Sequence, residues 1–124
     1  MRLALAAVLA LAPLPAFADV LETQPVTDGV WALVGPKEHR DAENLANNAT
    51  FGLVVTDEGA VLIDPGGSWK GAEMLHDTIR GITDRPVKFV IDTGGQEHPR
   101  LGKGHWRGGG GTPLFPHGPA QEKE

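Results

Sequence analysis

The sequence contains no cysteine and no tyrosine among its 124 residues. Without cysteine the chain forms no disulfide, so its stability must come from its core, a metal or a partner. Basic residues are also scarce, with 11 Lys and Arg against 16 Asp and Glu and a formal net charge of −5. This acidic balance argues against nucleic acid and anionic membranes as partners, because both bind through basic patches.

Long apolar runs are confined to the N-terminus. Arg2 supplies a positive charge, residues 3–14 are largely apolar, and residues 16–18 (AFA) form a small-x-small cleavage site. These features predict a signal peptide over residues 1–18, cleaved before Asp19, and therefore a periplasmic or secreted protein. A membrane anchor is the alternative, but a bilayer span needs about 20 apolar residues and two prolines interrupt this run. We therefore expect no membrane partner once the peptide is cleaved.

The rest of the chain is long enough for one small domain. Residues 30–34 (VWALV) follow an Asp-Gly turn signal and predict a strand, whereas residues 35–48 are polar, without a period, and predict a loop. Two apolar runs, residues 51–56 and 60–64, flank an acidic-Gly turn. This pattern is typical of a β-hairpin.

A helix and a further strand follow the hairpin. Ser68 stands where an N-cap would, and apolar residues recur at helical spacing up to a predicted end near Thr83, at Ala72, Leu75, Ile79 and Ile82. Residues 87–91 (VKFVI) then predict a buried strand. The order strand, hairpin, helix, strand predicts an α/β or layered α+β fold, with a helix packed on a sheet.

One local pattern occurs twice. Residues 61–68 (VLIDPGGS) and 89–96 (FVIDTGGQ) share a strand, a terminal aspartate and a Gly-Gly turn. Two parallel strands of one sheet explain this similarity without a duplication. After Trp106 the sequence becomes rich in Gly and Pro. We predict a domain over residues 19–106 and a disordered tail over residues 107–124.

Asp64 and Asp92 are the candidate catalytic residues. Each follows the carboxyl end of a predicted strand, where open α/β sheets place ligands and catalytic groups. The alternative is that such an aspartate forms a turn and accepts hydrogen bonds from backbone N–H groups. Position alone leaves both interpretations open.

His98 is the candidate metal ligand. It lies in the predicted loop 92–104, next to Glu97 and seven residues before His105. Neutral imidazole is the commonest transition-metal ligand, but a zinc site needs three or four converging donors. We interpret the other histidines outside the tail, His39 and His76, as surface residues.

The run ENLANNATFGLVVTDEGAVLIDPGGSWKGAEMLHDTIRGITDRPVKFVIDTGGQEH, residues 43–98, resembles the N-terminal half of a metallo-β-lactamase-fold hydrolase. It is most similar to exported members associated with quinoprotein and sulfur-oxidation systems. The resemblance implies half of an αββα sandwich, in which a hairpin ending in Asp-x-Gly precedes a helix, a strand and the motif Thr-His-x-His-x-Asp-His. Asp64-Pro65-Gly66 fits this pattern.

The metal motif of that family is altered here. When Thr93 is set on the family's threonine, the four ligand positions, in order His, His, Asp and His, are occupied by Gly94, Gln96, His98 and Pro99. The segment Leu101-Gly102-Lys103 then takes the place of the family's Leu-Gly-Asn. The resemblance thus implies either no cofactor or a single zinc ion bound at His98.

The resemblance also implies a difference in length, since the superfamily's domain is usually about twice as long as the mature chain. The change of composition after Trp106 suggests, as a hypothesis, a reading frame that shifted and soon ended. One sheet with a helix on one face would leave its other face and an edge strand uncovered. We therefore expect marginal stability, a homo-oligomer or a complementing chain.

Three functions remain at this stage. The first is an exported, truncated, hydrolase-like protein whose zinc-dependent hydrolysis is impaired or absent, its substrate class (an ester, thioester or amide) being implied only by the resemblance. The second is a non-catalytic periplasmic module that binds a small ligand beside Gly94-Gly95. The third is an aspartic protease, because Asp92-Thr93-Gly94 matches that family's tripeptide and Asp64 would serve as the second carboxylate.

Overall fold

The computed structural model describes residues 20–93 and 102–108. Five strands and two helices follow one another in this part of the chain. The strands are β1 (Glu22–Thr27), β2 (Val30–Val34), β3 (Thr50–Thr56), β4 (Gly59–Ile63) and β5 (Val87–Ile91). The helices are α1 (Trp69–Arg80), between β4 and β5, and α2 (Lys103–Gly108).

The strands form one mixed sheet in the order β1-β2-β3-β4-β5. The first three pairs are antiparallel, whereas β4 and β5 are parallel, with Ile63 opposite Ile91. A parallel pair needs a crossover connection, and α1 provides it. The structure confirms the predicted α/β class, the hairpin and the parallel arrangement of the two strands that share a sequence pattern.

β1 was not predicted, because its sequence, ETQPVT, is polar and every residue in it is exposed. It pairs with β2 through its backbone, which requires no apolar side chain. Pro25 is tolerated because β1 is an edge strand, where a missing N–H removes no bond to a further neighbour. An edge strand of this kind leaves little hydrophobic signal in the sequence.

α1 begins at the predicted cap. The Ser68 hydroxyl accepts a hydrogen bond from the Gly71 N–H at 2.9 Å, and the backbone of Ser68 is extended, as an N-cap requires. The helix ends at Arg80 rather than near Thr83. The Ile82 and Thr83 N–H groups still donate to the Ile79 carbonyl, so the chain makes one more turn outside the regular helix.

The core lies between α1 and one face of the sheet. Buried apolar residues of α1 meet alternate residues of the strands, because side chains on a strand point to its two faces in turn. Leu33, Leu53, Leu62 and Leu75 are fully buried at its centre. Leu21, which precedes β1, and Trp106, on α2, complete this core.

The opposite face of the sheet is also apolar, with aligned side chains from β2 to β5. Val54 lies opposite Val61, and Val61 opposite Phe89, on neighbouring strands. At the β5 edge Phe89 is 37% exposed and Ile91 is 40% exposed. These exposed fractions fit the expectation that the face of the sheet opposite α1 is less covered than the face on which α1 packs.

The last described element lies where a loop and the start of a tail were predicted. α2 spans Lys103–Gly108 and includes the first two residues of the segment assigned to the tail. The rest of that segment, and the predicted signal peptide, lie outside the described residues. No helix within residues 20–93 and 102–108 has the length and apolar character needed to cross a membrane.

Candidate functional site

Asp64 directly follows β4 and turns the chain sharply. Its φ is 68°, in the left-handed region, where Asp is more often found than most other residues with a side chain. Its N–H donates to the Ile91 carbonyl at 2.7 Å, which continues the pairing of β4 with β5 by one bond. The side chain is therefore presented at the end of the parallel pair.

Thr93 holds the Asp64 carboxylate from the neighbouring strand end. The Thr93 N–H and hydroxyl each donate to Asp64 Oδ1 at 2.9 Å, and the hydroxyl lies 3.1 Å from Oδ2. Accepting hydrogen bonds from a nearby backbone is the turn-forming role considered for this aspartate. The sequence pattern alone gave no indication that its donor would be the threonine after Asp92.

The turn after Asp64 is supported by Asn47, which is fully buried. Its side-chain carbonyl accepts from the Gly67 N–H at 3.2 Å, and its amide donates to the Gly71 carbonyl at 2.8 Å. The close approach explains the glycine, since a Cβ on Gly67 would lie 1.9 Å from the Ala46 carbonyl oxygen. Sequence reasoning placed Asn47 in a polar loop and missed this role.

Asp92 has different surroundings. Its carboxylate forms an ion pair with the Lys103 ammonium group from α2. The Asp92 side chain is 9% exposed and that of Lys103 is 18% exposed, so the pair is largely removed from water. A positive charge of the chain itself thus lies against one of the two predicted catalytic carboxylates.

α2 packs directly on the turn that follows β4. The Trp106 indole N–H donates to the Pro65 carbonyl at 2.9 Å, and Trp106 is only 5% exposed. Gly102 approaches the same turn so closely that a Cβ there would lie 2.3 Å from the Pro65 oxygen. α2 is therefore in contact with the chain after β4 through Trp106 and with the end of β5 through Lys103.

His76 is not a simple surface residue, which corrects the sequence interpretation. Its Nδ1 lies 3.0 Å from Nε2 of His105, and both rings contact Trp106 with centroids 5.0 Å away. Burial lowers the pKa of His76, and the nearby Arg80 and His105 lower it further, while Asp77 acts in the opposite direction. No local sequence pattern indicates this contact, because His76 and His105 are 29 residues apart and meet only in the folded chain.

The predicted site residues are thus only partly described. Asp64 and Asp92 follow adjacent strand ends, but each has its own partner, and their catalytic role stays a prediction. His98 lies outside the described residues, together with the Gly94, Gln96 and Pro99 positions of the motif. Among residues 20–93 and 102–108, no three His, Cys, Asp or Glu side chains are grouped so that they could hold a metal ion.

Comparison with known proteins agrees with this geometry. Residues 46–95 match the family model of the metallo-beta-lactamase superfamily. This segment contains β3, β4, α1, β5 and the turn carrying Asp64. No curated protein sequence matches the chain.

Solved metallo-beta-lactamases have the same fold. FIM-1 from Pseudomonas aeruginosa, in its mono-zinc form, superposes with a TM-score of 0.59 at 14% identity, over 77% of this chain and 41% of that one. The enzyme from Pontibacter korlensis gives 0.59 at 24% identity, over 77% and 43%. An NDM_FIM-1 like enzyme from Erythrobacter litoralis, also mono-zinc, gives 0.59 at 15%, over 77% and 44%. The chain therefore has the metallo-beta-lactamase fold, and it spans less than half the length of these structures.

Proposed function

We propose that this chain is an exported protein of the metallo-beta-lactamase fold in which zinc-dependent hydrolysis is impaired or absent. Two independent features support the proposal. The first is the chemistry of the side chains at the positions where the family holds its metals, and the second is how the two strand-end aspartates are engaged.

The donor set does not fit a pair of zinc ions, and this observation carries the proposal. At the motif positions Gly94 has no side chain, Pro99 has no donor atom, and the amide of Gln96 is not among the usual zinc ligands. Only His98 offers an imidazole there. Two-metal hydrolysis needs several ligands converging on each ion, and the side chains at these four positions do not supply them.

The contacts of the two aspartates also argue against a pair of zinc ions. The Asp64 carboxylate accepts hydrogen bonds from Thr93, and that of Asp92 is paired with Lys103. A carboxylate neutralised by an ammonium group of its own chain is a poorer ligand for a cation, because the two positive charges repel. We infer that these aspartates stabilise the fold instead of binding a metal.

The same ion pair argues against the aspartic-protease alternative. That mechanism needs two carboxylates that share one proton, which requires like charges close together and no strong cation beside them. Lys103 supplies such a cation to Asp92. The mixed sheet with its crossover helix also differs from the all-β fold of aspartic proteases.

Export is proposed from the sequence, and the start of the fold is compatible with it. Leu21, 3% exposed, is the first residue of the core, and β1 starts at Glu22. Cleavage before Asp19 would leave both in the mature chain. Mass spectrometry of the protein recovered from the cell envelope tests this, with a mature N-terminus at Asp19 expected and an intact Met1 as the contrary result.

The hydrolase part of the proposal is tested with the zinc-replete mature protein on a panel of β-lactam, ester and thioester substrates. We expect no hydrolysis that a chelator removes, and no change in His98→Ala. A chelator-sensitive activity that disappears in His98→Ala and is as high as that of the variant with restored ligands would overturn the proposal. A variant carrying Gly94→His, Gln96→His, His98→Asp and Pro99→His is the matched control, because it restores the donor types and should retain more zinc than the natural chain.

A further inference from the structure

Two histidines from different helices face each other at the junction of α1 and α2. His76 Nδ1 and His105 Nε2 are 3.0 Å apart, and the two rings are inclined at 78°. In this contact one nitrogen donates a hydrogen and the other accepts it. Neither residue occupies a position of the family's metal motif, which lies at residues 94–99.

The pair is enclosed by two tryptophans. The Trp69 ring lies edge-on to His105 with centroids 5.7 Å apart, and the Trp106 ring contacts both histidines. Trp106 is buried, whereas Trp69 is 51% exposed, so the pair is fixed on one side and reachable from solvent on the other. Both imidazole rings are half-buried.

The separation of the nitrogens matches that of two neighbouring ligands on one metal ion. With metal–nitrogen bonds of about 2.0–2.1 Å, nitrogens 3.0 Å apart subtend an angle of about 91–97° at the metal. This is close to the right angle between adjacent ligands in the square-planar or tetragonal sites of Cu²⁺ and Ni²⁺. In the hydrogen bond the two nitrogens face each other, so the rings turn until both lone pairs point at the ion, and a tetrahedral zinc site would also need the nitrogens to move apart.

We propose that His76 Nδ1 and His105 Nε2 form a binding site for a divalent transition-metal ion of tetragonal preference, above all Cu²⁺. The hydrogen between the two nitrogens moves to the other nitrogen of the ring that carries it, so that both imidazoles bind the ion as neutral ligands. Water completes the coordination on the open side, beside Trp69. Because the described part of the chain supplies two ligands, we expect the ion to exchange readily with solvent.

The surrounding charges leave the site accessible to a cation. Arg80, the cation on α1 that lowers the pKa of His76, is itself paired with Asp77 at 3.2 Å, and both of these side chains are exposed. The chain as a whole has a formal net charge of −5. Repulsion by Arg80 is therefore offset in part by Asp77 and weakened by water.

Metal binding here would fasten α2 to α1. α2 also contacts the chain after β4 through the Trp106 bond to Pro65. An ion that binds the folded chain and not the unfolded one raises stability in proportion to the logarithm of its concentration above Kd. The site thus links a soluble metal ion to the position of the helix that contacts both strand ends.

Tryptophan fluorescence tests the proposal directly. Cu²⁺ quenches a nearby indole, whereas the filled d shell of Zn²⁺ does not, and Trp69 and Trp106 both lie against His105. We expect saturable quenching of the full mature chain by Cu²⁺, relieved by excess chelator, together with a raised Tm. Zn²⁺ should bind more weakly and leave the fluorescence unchanged in the absence of Cu²⁺.

The variants separate this site from other histidines. His76→Gln keeps a hydrogen-bonding side chain but loses the ligand, so the apparent Kd for Cu²⁺ should rise by about tenfold or more. His105→Ala should do the same, with the circular dichroism spectrum reporting whether the fold persists. Quenching that survives His76→Gln, or that His39→Ala or His98→Ala abolishes instead, would overturn the proposal.

Discussion

The ends of β4 and β5 carry nearly the same local sequence and lie side by side, yet their aspartates have different surroundings. VLIDPGG and FVIDTGG end two parallel strands with Ile63 opposite Ile91. Asp64 adopts a left-handed backbone and accepts bonds from Thr93, whereas Asp92 pairs with a lysine of α2. The shared pattern fixes the strand and the position of the aspartate but not its partner.

The residue after each aspartate accounts for much of the difference. Pro65 has no N–H, so it can only accept, and its carbonyl bonds Trp106. Thr93 has an N–H and a hydroxyl, and both donate to Asp64. The described contacts of the β4 end are thus hydrogen bonds, and the described contact of the Asp92 carboxylate is an ion pair.

Asn47→Ala should cause the largest loss. It leaves the Gly67 N–H and the Gly71 carbonyl buried without their partner, which should cost about 2–4 kcal/mol in the free energy of unfolding. Denaturant unfolding measures the loss. Asn48→Ala is the matched control, since the Asn48 amide makes only an exposed bond to the Glu38 carbonyl. Equal effects of the two changes would show that the turn does not depend on Asn47.

Lys103→Met should have the next largest effect. It leaves the Asp92 carboxylate, 9% exposed, without its ammonium partner, at a cost of about 1–3 kcal/mol. In the Lys103→Met variant, Asp92→Asn should cause little further loss of stability, because it removes the charge that has lost its ammonium partner. A double-mutant cycle measures this coupling of the two residues. Lys70→Met, at an exposed lysine on α1, is the control. If Lys103→Met destabilises the chain more than Asn47→Ala, the ion pair after β5 contributes more to the free energy of unfolding than the Asn47 hydrogen bonds after β4.

Much of the fold could be predicted from local patterns. The hairpin, the helix with its Ser68 cap and the parallel pair follow from periodicity and turn residues, which act over a few positions. β1 could not, because an edge strand with six exposed residues is held by its backbone alone. The fold family was predictable because the Asp64 turn and its flanking elements form a distinctive order.

The site was predictable only in part. Asp64 and Asp92 were identified by their position after strands, a local feature. Their partners Thr93 and Lys103 could not be assigned, because an interaction across 29 residues or one with a later helix leaves no period in the sequence. Asn47 and the His76–His105 pair were missed for the same reason, since each gains its role only when distant segments meet.

Asp64→Ala separates the two features of the β4 end. It removes the acceptor of both Thr93 bonds and places alanine at a φ of 68°, so we expect a loss of about 1–2 kcal/mol. Asp64→Asn tolerates that backbone and keeps one acceptor oxygen, so its cost should be smaller. Asp64→Gly keeps the backbone but no acceptor. A glycine variant as stable as the natural chain would mean that the Thr93 bonds contribute nothing.

The smallest effect should come from acidification, which tests whether α2 depends on a neutral His76. The pKa of His76 is lowered in the folded chain from its ordinary value of 6.5, by burial first and then by Arg80 on its own helix and His105 on α2, against Asp77. Below pH 6.5 the unfolded chain therefore binds more protons than the folded one, so this contribution to stability is complete above that value and is lost as the pH falls through the lowered pKa.

Unfolding in the presence of a chelator at about pH 7.5 and about pH 5.5 measures that loss without interference from metal ions. His76→Gln should flatten the difference between the two values, whereas His39→Ala, at an exposed histidine, should leave it unchanged. A difference that persists unchanged in His76→Gln would show that the acid sensitivity does not come from His76.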